Sequence, residues 1–322
     1  MPPVAFALTL VTLRFLLARG WASHLAIDTP NQRSLHVAPT PRIGGVIMVP
    51  MALATSISLS SWPGLLPVLA AALCALSFVD DRWELPIAVR LISHLAAATL
   101  LCQSLLVSPS PWVLALAVVV LVWAINLFNF MDGSDGLAGG MALFGFGTMG
   151  WALLDSVPEM ANLALCLAAA SAGFLLLNFS PARVFMGDAG SVPLGFLAGG
   201  IGLAGWRHGV WPVWFPLLVF SPFVVDATVT LMRRALRRER FWHPHRDHYY
   251  QRLVRMGWSH RRVALTEYGL MAACGISALA MLQANLVVQV AGLAAWCCIY
   301  AAAMLSIDRL WVNSDASRGV LA

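Results

Sequence analysis

Lysine is absent from this chain of 322 residues, and charge of either sign is scarce. Only 11% of the residues are charged, where soluble domains carry about 25%. That shortage excludes an ordinary water-soluble fold. The six cysteines (Cys74, Cys102, Cys166, Cys274, Cys297 and Cys298) lie inside apolar runs and form no C-x-x-C pair, so a thiolate metal site or a redox motif is not expected. No basic residue precedes the first apolar run, and Arg14 and Arg19 come late in it, which argues against a cleaved signal peptide. No internal repeat, low-complexity tract or separate polar domain interrupts the chain.

What is there is apolar surface. Hydrophobic residues make up 60% of the chain and the mean hydropathy is +0.78, so the bilayer is the expected solvent. A membrane-crossing helix takes roughly 20 apolar residues. Cutting the sequence at charges, prolines and polar clusters predicts eleven spans, near 4–22, 43–60, 64–79, 86–106, 112–128, 138–154, 161–178, 189–205, 212–231, 263–282 and 286–306. The fold class read from this pattern is an all-α polytopic membrane protein, a single membrane domain over 1–322. With the N-terminus outside, the connections 23–42, 80–85, 129–137, 179–188 and 232–262 and the C-terminal tail are cytoplasmic. Every arginine except Arg14 and Arg207 then falls on the cytoplasmic side, as the positive-inside bias requires.

The same side collects nearly all the acids that carry chemistry. Asp80 and Asp81 end the third span; Asn126, Asn129, Asp132 and Asp135 follow the fifth; Asp188 precedes the eighth. Acids at a membrane boundary are costly unless paired or bound to a cation. Asp188 could instead cap a helix, whereas Asp80 and Asp81 end one, where negative charge is unfavourable. Hard oxygen donors point to Mg²⁺, with Mn²⁺ as the alternative, and Mg²⁺ usually shares its shell with substrate phosphates. A diphosphate partner follows. The segment Gly187-Asp188-Ala189-Gly190-Ser191 opens a helix, whose first amides are expected to suit phosphate oxygens.

Half of the twenty arginines lie between Arg233 and Arg262, in the longest loop, which also carries His243, His245, Arg246, Asp247 and His248. The flanking arginines would repel a metal and favour an anion, so nucleotide or phosphate binding is expected there. His94 and His208 stand alone and read as structural.

Together these residues resemble the polyprenyl-phosphate N-acetylhexosamine-1-phosphate transferases of glycosyltransferase family 4. Five motifs match in order. Asp28-Thr29-Pro30 continues through Arg33-Ser34-x-His36 to Pro39-Thr40-Pro41-Arg42-x-Gly44-Gly45, and the pair Asp80-Asp81 comes next. Asn126-x-x-Asn129-x-x-Asp132-Gly133-x-Asp135-Gly136-Leu137 and Phe185-Met186-Gly187-Asp188-x-Gly190-Ser191 follow, and the His245-Arg246-x-His248 loop is last.

The resemblance implies a Mg²⁺ held by Asn129 and Asp188 and a catalytic role for Asp80 or Asp81. It implies substrate contacts from Arg33, His36, Arg42, Arg90, Asn126, Asp132, Asp135, His245, Arg246 and His248. The implied reaction moves a sugar 1-phosphate from a UDP-N-acetylhexosamine to undecaprenyl phosphate on the cytoplasmic face of a bacterial inner membrane. Homodimerisation is open and no nucleic acid is implied. The R-S-x-H and H-R-x-H details look more like the branch that starts O-antigen chains than the phospho-N-acetylmuramoyl-pentapeptide branch. A transporter would need its acids near mid-membrane. A CDP-alcohol phosphotransferase would need an Ala-Arg pair after Gly136, where Leu137-Ala138 stands.

Overall fold

A backbone without water must satisfy its own hydrogen bonds, and the apolar runs do so as helices. The computed structural model describes residues 1–30, 38–57, 64–240 and 245–314. Helix α1 (Pro2–Ala18) and the single turn α2 (Ala22–Leu25) lead to β1 (Ile27–Asp28) and β2 (Thr40–Pro41). Then follow α3 (Gly44–Ile57), α4 (Leu65–Trp83), α5 (Ile87–Leu105), α6 (Pro111–Met131), α7 (Leu137–Leu153), α8 (Pro158–Asn178) and α9 (Asp188–Arg207). The chain closes with α10 (Trp214–Val219), α11 (Ser221–Leu236), α12 (Tyr249–Arg255), α13 (His260–Leu282) and α14 (Leu286–Val312).

Six of these helices, α5, α6, α8, α9, α13 and α14, are long and apolar enough to cross a bilayer, and α1, α3 and α7 are shorter apolar helices. The protein is thus a polytopic, mostly helical membrane protein. The all-α expectation holds with one small departure, a two-residue ladder in which β1 and β2 pair antiparallel, with Ile27 opposite Pro41 and Asp28 opposite Thr40. A second concerns 212–231, which is two helices. Pro222 has no amide to give to the carbonyl of Leu218, and the helix breaks at Phe220. The Ser221 hydroxyl takes over, donating to Leu218 O at 2.7 Å. Within 232–262 lies a further helix, α12, between the end of α11 and the start of α13.

The centre of the bundle is α9, buried along most of its length between α4 and α6, whereas α14 buries no residue. Glycine makes this centre possible. A Cβ on Gly195 would fall on Ala124 O and Ile125 Cα, so α6 and α9 touch backbone to backbone. The two run antiparallel, which brings the C-terminal end of α6, with Asn129, beside the N-terminal end of α9, with Asp188.

Candidate active site

The frame of the site is main chain. Phe185 N donates to Pro41 O at 2.8 Å, and Gly44 N and Gly45 N donate to Phe185 O and Met186 O, each at 2.9 Å. Gly45 lies so close to Gly190 that a Cβ there would fall on the Gly190 backbone. Gly187 has φ +72° and ψ 172°, a region essentially reserved for glycine. The turn it makes points Asp188 toward α4 and α6.

Asp81 sits at the meeting point, its side chain 1% exposed. Its Oδ1 accepts from Asp188 N at 3.2 Å and its Oδ2 from Ala189 N at 3.0 Å. The next two amides of α9, Gly190 and Ser191, donate to Gly187 O. This corrects the expectation that the start of α9 offers free amides to phosphate: a carboxylate from α4 already takes the first two. A cap from a neighbouring helix is also why the pair Asp80-Asp81 tolerates a helix end. The favourable pole it feels belongs to α9.

Asp80 is buried too, accepting from Leu85 N at 2.7 Å and Arg90 Nη1 at 3.1 Å. Arg90 also lies 3.9 Å from Asp188, and Arg42 lies 3.8 Å from Asp81. Asn129 Nδ2 donates to Ser191 Oγ at 3.2 Å and also bonds Asp188. Asp132 is half-buried beside them. Its burial, then the Asp188 and Asp81 carboxylates, push its pKa up to about 8, against the pull of Arg42. Asp80, Asp81, Asn129, Asp132 and Asp188 therefore share one end of the bundle with Arg42 and Arg90.

Two residues stand slightly apart. Asn126 donates back to Val122 O of its own helix at 2.8 Å, and Asp135 accepts from Ala182 N at 3.1 Å. Arg33, His36 and His243 lie outside the described residues.

Three arginines of the basic loop pair with carboxylates. Arg233 and Arg252 bond Asp308 at 2.6 and 2.9 Å, and Arg234 bonds Asp247 and Glu239. Among the described residues Arg246, half-buried, has no carboxylate partner. His245 accepts from Asp247 N at Nδ1. Burial, followed by His248 and Arg234, holds its pKa down to about 4. At neutral pH it offers an anion one hydrogen bond and no charge. His248 is buried, its Nδ1 3.3 Å from Asp226 Oδ1. Its ring stacks on Phe130.

The donor set can be tested against the expected cation. Asp188 and Asn129 offer hard oxygens with no thiolate or imidazole among them, as Mg²⁺ prefers. Crowded carboxylates that raise the pKa of Asp132 mark a surplus of negative charge that a dication would relieve. The buried Arg42 Nε has no acceptor among the described residues, a donor aimed into this charged cluster. Among the described residues no three His, Cys, Asp or Glu side chains gather on one point. The residues fit a metal shared with a substrate, as Mg²⁺ usually is.

Comparison with known proteins follows the same line. The glycosyl transferase family 4 profile matches residues 64–205. The chain is 31% identical over 304 residues to a phospho-N-acetylmuramoyl-pentapeptide-transferase of Thermosynechococcus vestitus, covering 81% of this chain and 78% of the relative. The chain belongs to glycosyl transferase family 4. The family comprises phosphotransferases that form polyprenyl-diphosphate sugars. A probable undecaprenyl-phosphate N-acetylglucosaminyl 1-phosphate transferase of Bacillus subtilis is 28% identical over 306 residues, 88% of this chain and 86% of its own. An undecaprenyl-phosphate alpha-N-acetylglucosaminyl 1-phosphate transferase of Yersinia pestis is 32% identical over 262 residues, 73% of this chain and 71% of its own. As a family 4 member, the chain carries the matched profile from α4 to α9, the helices that bring Asp80, Asp81, Asn129 and Asp188 together.

Proposed function

We propose that this family 4 protein transfers an N-acetylhexosamine 1-phosphate from a UDP-amino sugar to undecaprenyl phosphate, releasing UMP. The observation that carries this is an acid cluster, with Asn129 and Asp188 in it, at the end of an apolar groove. The groove, about 370 Å³, is lined by Leu121, Phe128, Gly199, Phe220, Phe223 and Val224 among others, from α6, α9 and the broken pair α10–α11. Phe128 in its wall is the residue before Asn129, so a prenyl tail in the groove would leave its phosphate near Asp188. Eleven crossings, with α10 and α11 as one interrupted span and the N-terminus outside, put this end in the cytoplasm of a bacterial inner membrane. A homodimer fits the same reading.

In the reaction a lipid phosphate oxygen attacks the sugar-linked phosphorus and UMP departs. Catalysis of this kind is positioning and charge neutralisation. Asn129 and Asp188 would hold Mg²⁺ (or Mn²⁺), which supplies charge to the diphosphate when bound. Arg42 and Arg90 lie beside the acids with donors suited to phosphate, and Arg246 supplies the charge of the basic loop. A lipid phosphate with a second pKa near 6 is already largely dianionic at pH 7, so little proton abstraction is required. Asp80 and Asp81 then serve by fixing Arg90 and the start of α9. Their hydrogen bonds favour that role over a base.

The R-S-x-H and H-R-x-H details favour the branch that starts O-antigen or a related cell-envelope polysaccharide, and with it an N-acetylhexosamine without a peptide, over the muramoyl-pentapeptide substrate. The test is UMP release by purified protein with undecaprenyl phosphate and a panel of UDP-amino sugars. Asp188→Asn should nearly abolish release at every Mg²⁺ concentration while the protein still folds. Near-normal turnover by that variant would leave Asp188 no part in metal binding.

A further inference from the structure

Asp226 lies in the second turn of α11 between Val225 and Ala227, and is 6% exposed. A carboxylate there is costly unless donors surround it. Its Oδ1 accepts from Tyr249 N at 2.9 Å, Thr230 Oγ1 at 3.2 Å and His248 Nδ1 at 3.3 Å. Its Oδ2 accepts from Tyr250 N at 3.1 Å. The first two amides of α12 and the ring of the residue before it thus converge on one acid from another helix.

The contacts continue into the acid cluster. The Tyr250 hydroxyl donates to Phe130 O at 3.2 Å, one residue beyond Asn129. The Phe130 and His248 rings stack with centroids 6.2 Å apart, and His245 lies 5.0 Å from His248 on the same run of rings. From Asp226, a chain of direct contacts therefore reaches the basic segment at one end and the Asn129–Asp132 turn at the other.

We propose that Asp226 is a positioning residue for sugar-phosphate transfer, setting the bearing of α12 so that His245 and Arg246 face the acid cluster. It touches no substrate. The inference rests on the transfer reading above. Without the carboxylate, two amides and an imidazole lose their acceptor in a place with little water, and α12 must turn to find others. The helix stays attached, because Asp308 of α14 still holds Arg252 at 2.9 Å and the Tyr249 hydroxyl at 3.3 Å. What is lost is orientation.

The experiment compares wild type, Asp226→Ala, Arg246→Ala and the double variant in UMP release, and follows trypsin cleavage at Arg252 and Arg255 with and without UDP and Mg²⁺. In Asp226→Ala the KM for UDP-sugar should rise at least about tenfold, the loss expected when bonds to a charged group go, with a smaller change in kcat. In the double variant the two costs should fall well short of multiplying, since both residues act through one element. UDP should slow trypsin in wild type and no longer do so in Asp226→Ala. Gly269→Ala, where an added Cβ meets nothing within 4 Å, should keep KM near wild type. Multiplying costs, an unchanged KM or retained protection by UDP would overturn the proposal. If Asp226→Ala does not accumulate, Tyr250→Phe cuts the link to Phe130 O, together with the bond from Gln251 Nε2, and leaves the bonds to Asp226 in place; an unchanged KM there overturns it equally. A wild-type protein that releases no UMP from any UDP-amino sugar defeats the transfer reading, whereas the trypsin pattern is read without turnover.

Discussion

Replacing Asp81 by Asn separates a cap from a base. The carboxylate accepts from Asp188 N and Ala189 N, and lies 3.8 Å from Arg42. Asn keeps one acceptor and turns an amide donor toward the other N–H. One hydrogen bond to a charged group is worth about 1.5–3 kcal/mol. Negative charge at a partly buried helix N-terminus adds up to about 2 kcal/mol. The cost is then about 1.5–5 kcal/mol. At about 2–4 °C per kcal/mol for chains of 150–250 residues, the midpoint should drop by roughly 10 °C. The chain supplies its own reporter, since Cys74, Cys102, Cys166 and Cys274 are buried and a thiol-reactive dye reads their exposure on heating. UMP release from the same preparation completes the comparison. An Asp81→Asn protein that melts like wild type yet has lost turnover more than about a hundredfold would refute the cap, because only a chemical role removes activity without cost to the fold.

Two further outcomes follow from the same geometry. Gly45→Ala drives a Cβ into the Gly190 backbone and should abolish UMP release, while Gly269→Ala, with nothing within 4 Å, should leave activity and melting unchanged. Arg246→Ala should raise the KM for UDP-sugar by roughly 10- to 150-fold, the worth of a charge-assisted bond to phosphate; an unchanged KM would remove the loop from substrate binding.

The acid cluster was legible because metal and phosphate chemistry demands particular residue types near helix ends, and Asp80, Asp81, Asn129 and Asp188 meet that demand in the sequence itself. Asp226 was not. It falls inside the expected span 212–231, and its partners are main-chain amides 23 and 24 residues away. A bond to an amide places no requirement on the residue that offers it, so it leaves no pattern to find. The same blindness explains the free phosphate site expected at the start of α9. Sequence marks the amides as available, and only the packing of α4 against α9 reveals that Asp81 fills them. Pro222 was a visible signal for the break in α11, since a proline lacking an amide stops a helix wherever the previous turn cannot compensate. The bond between His248 Nδ1 and Asp226 was equally invisible, because a histidine in a basic loop reads alike whether or not one ring nitrogen meets a buried acid.

The strap formed by residues 40–45 and 184–190 has a consequence for how such enzymes diversify. Its bonds run between peptide groups, and its closest approach is glycine on glycine, while Ile43, Val184 and Met186 are buried in the core and Arg42 reaches the acid cluster. Substrate preference can then drift through side chains around the strap while the mounting that holds Asp188 stays in register. Gly45, Gly187 and Gly190 cannot take part in that drift. They are the fixed type in which the variable letters are set.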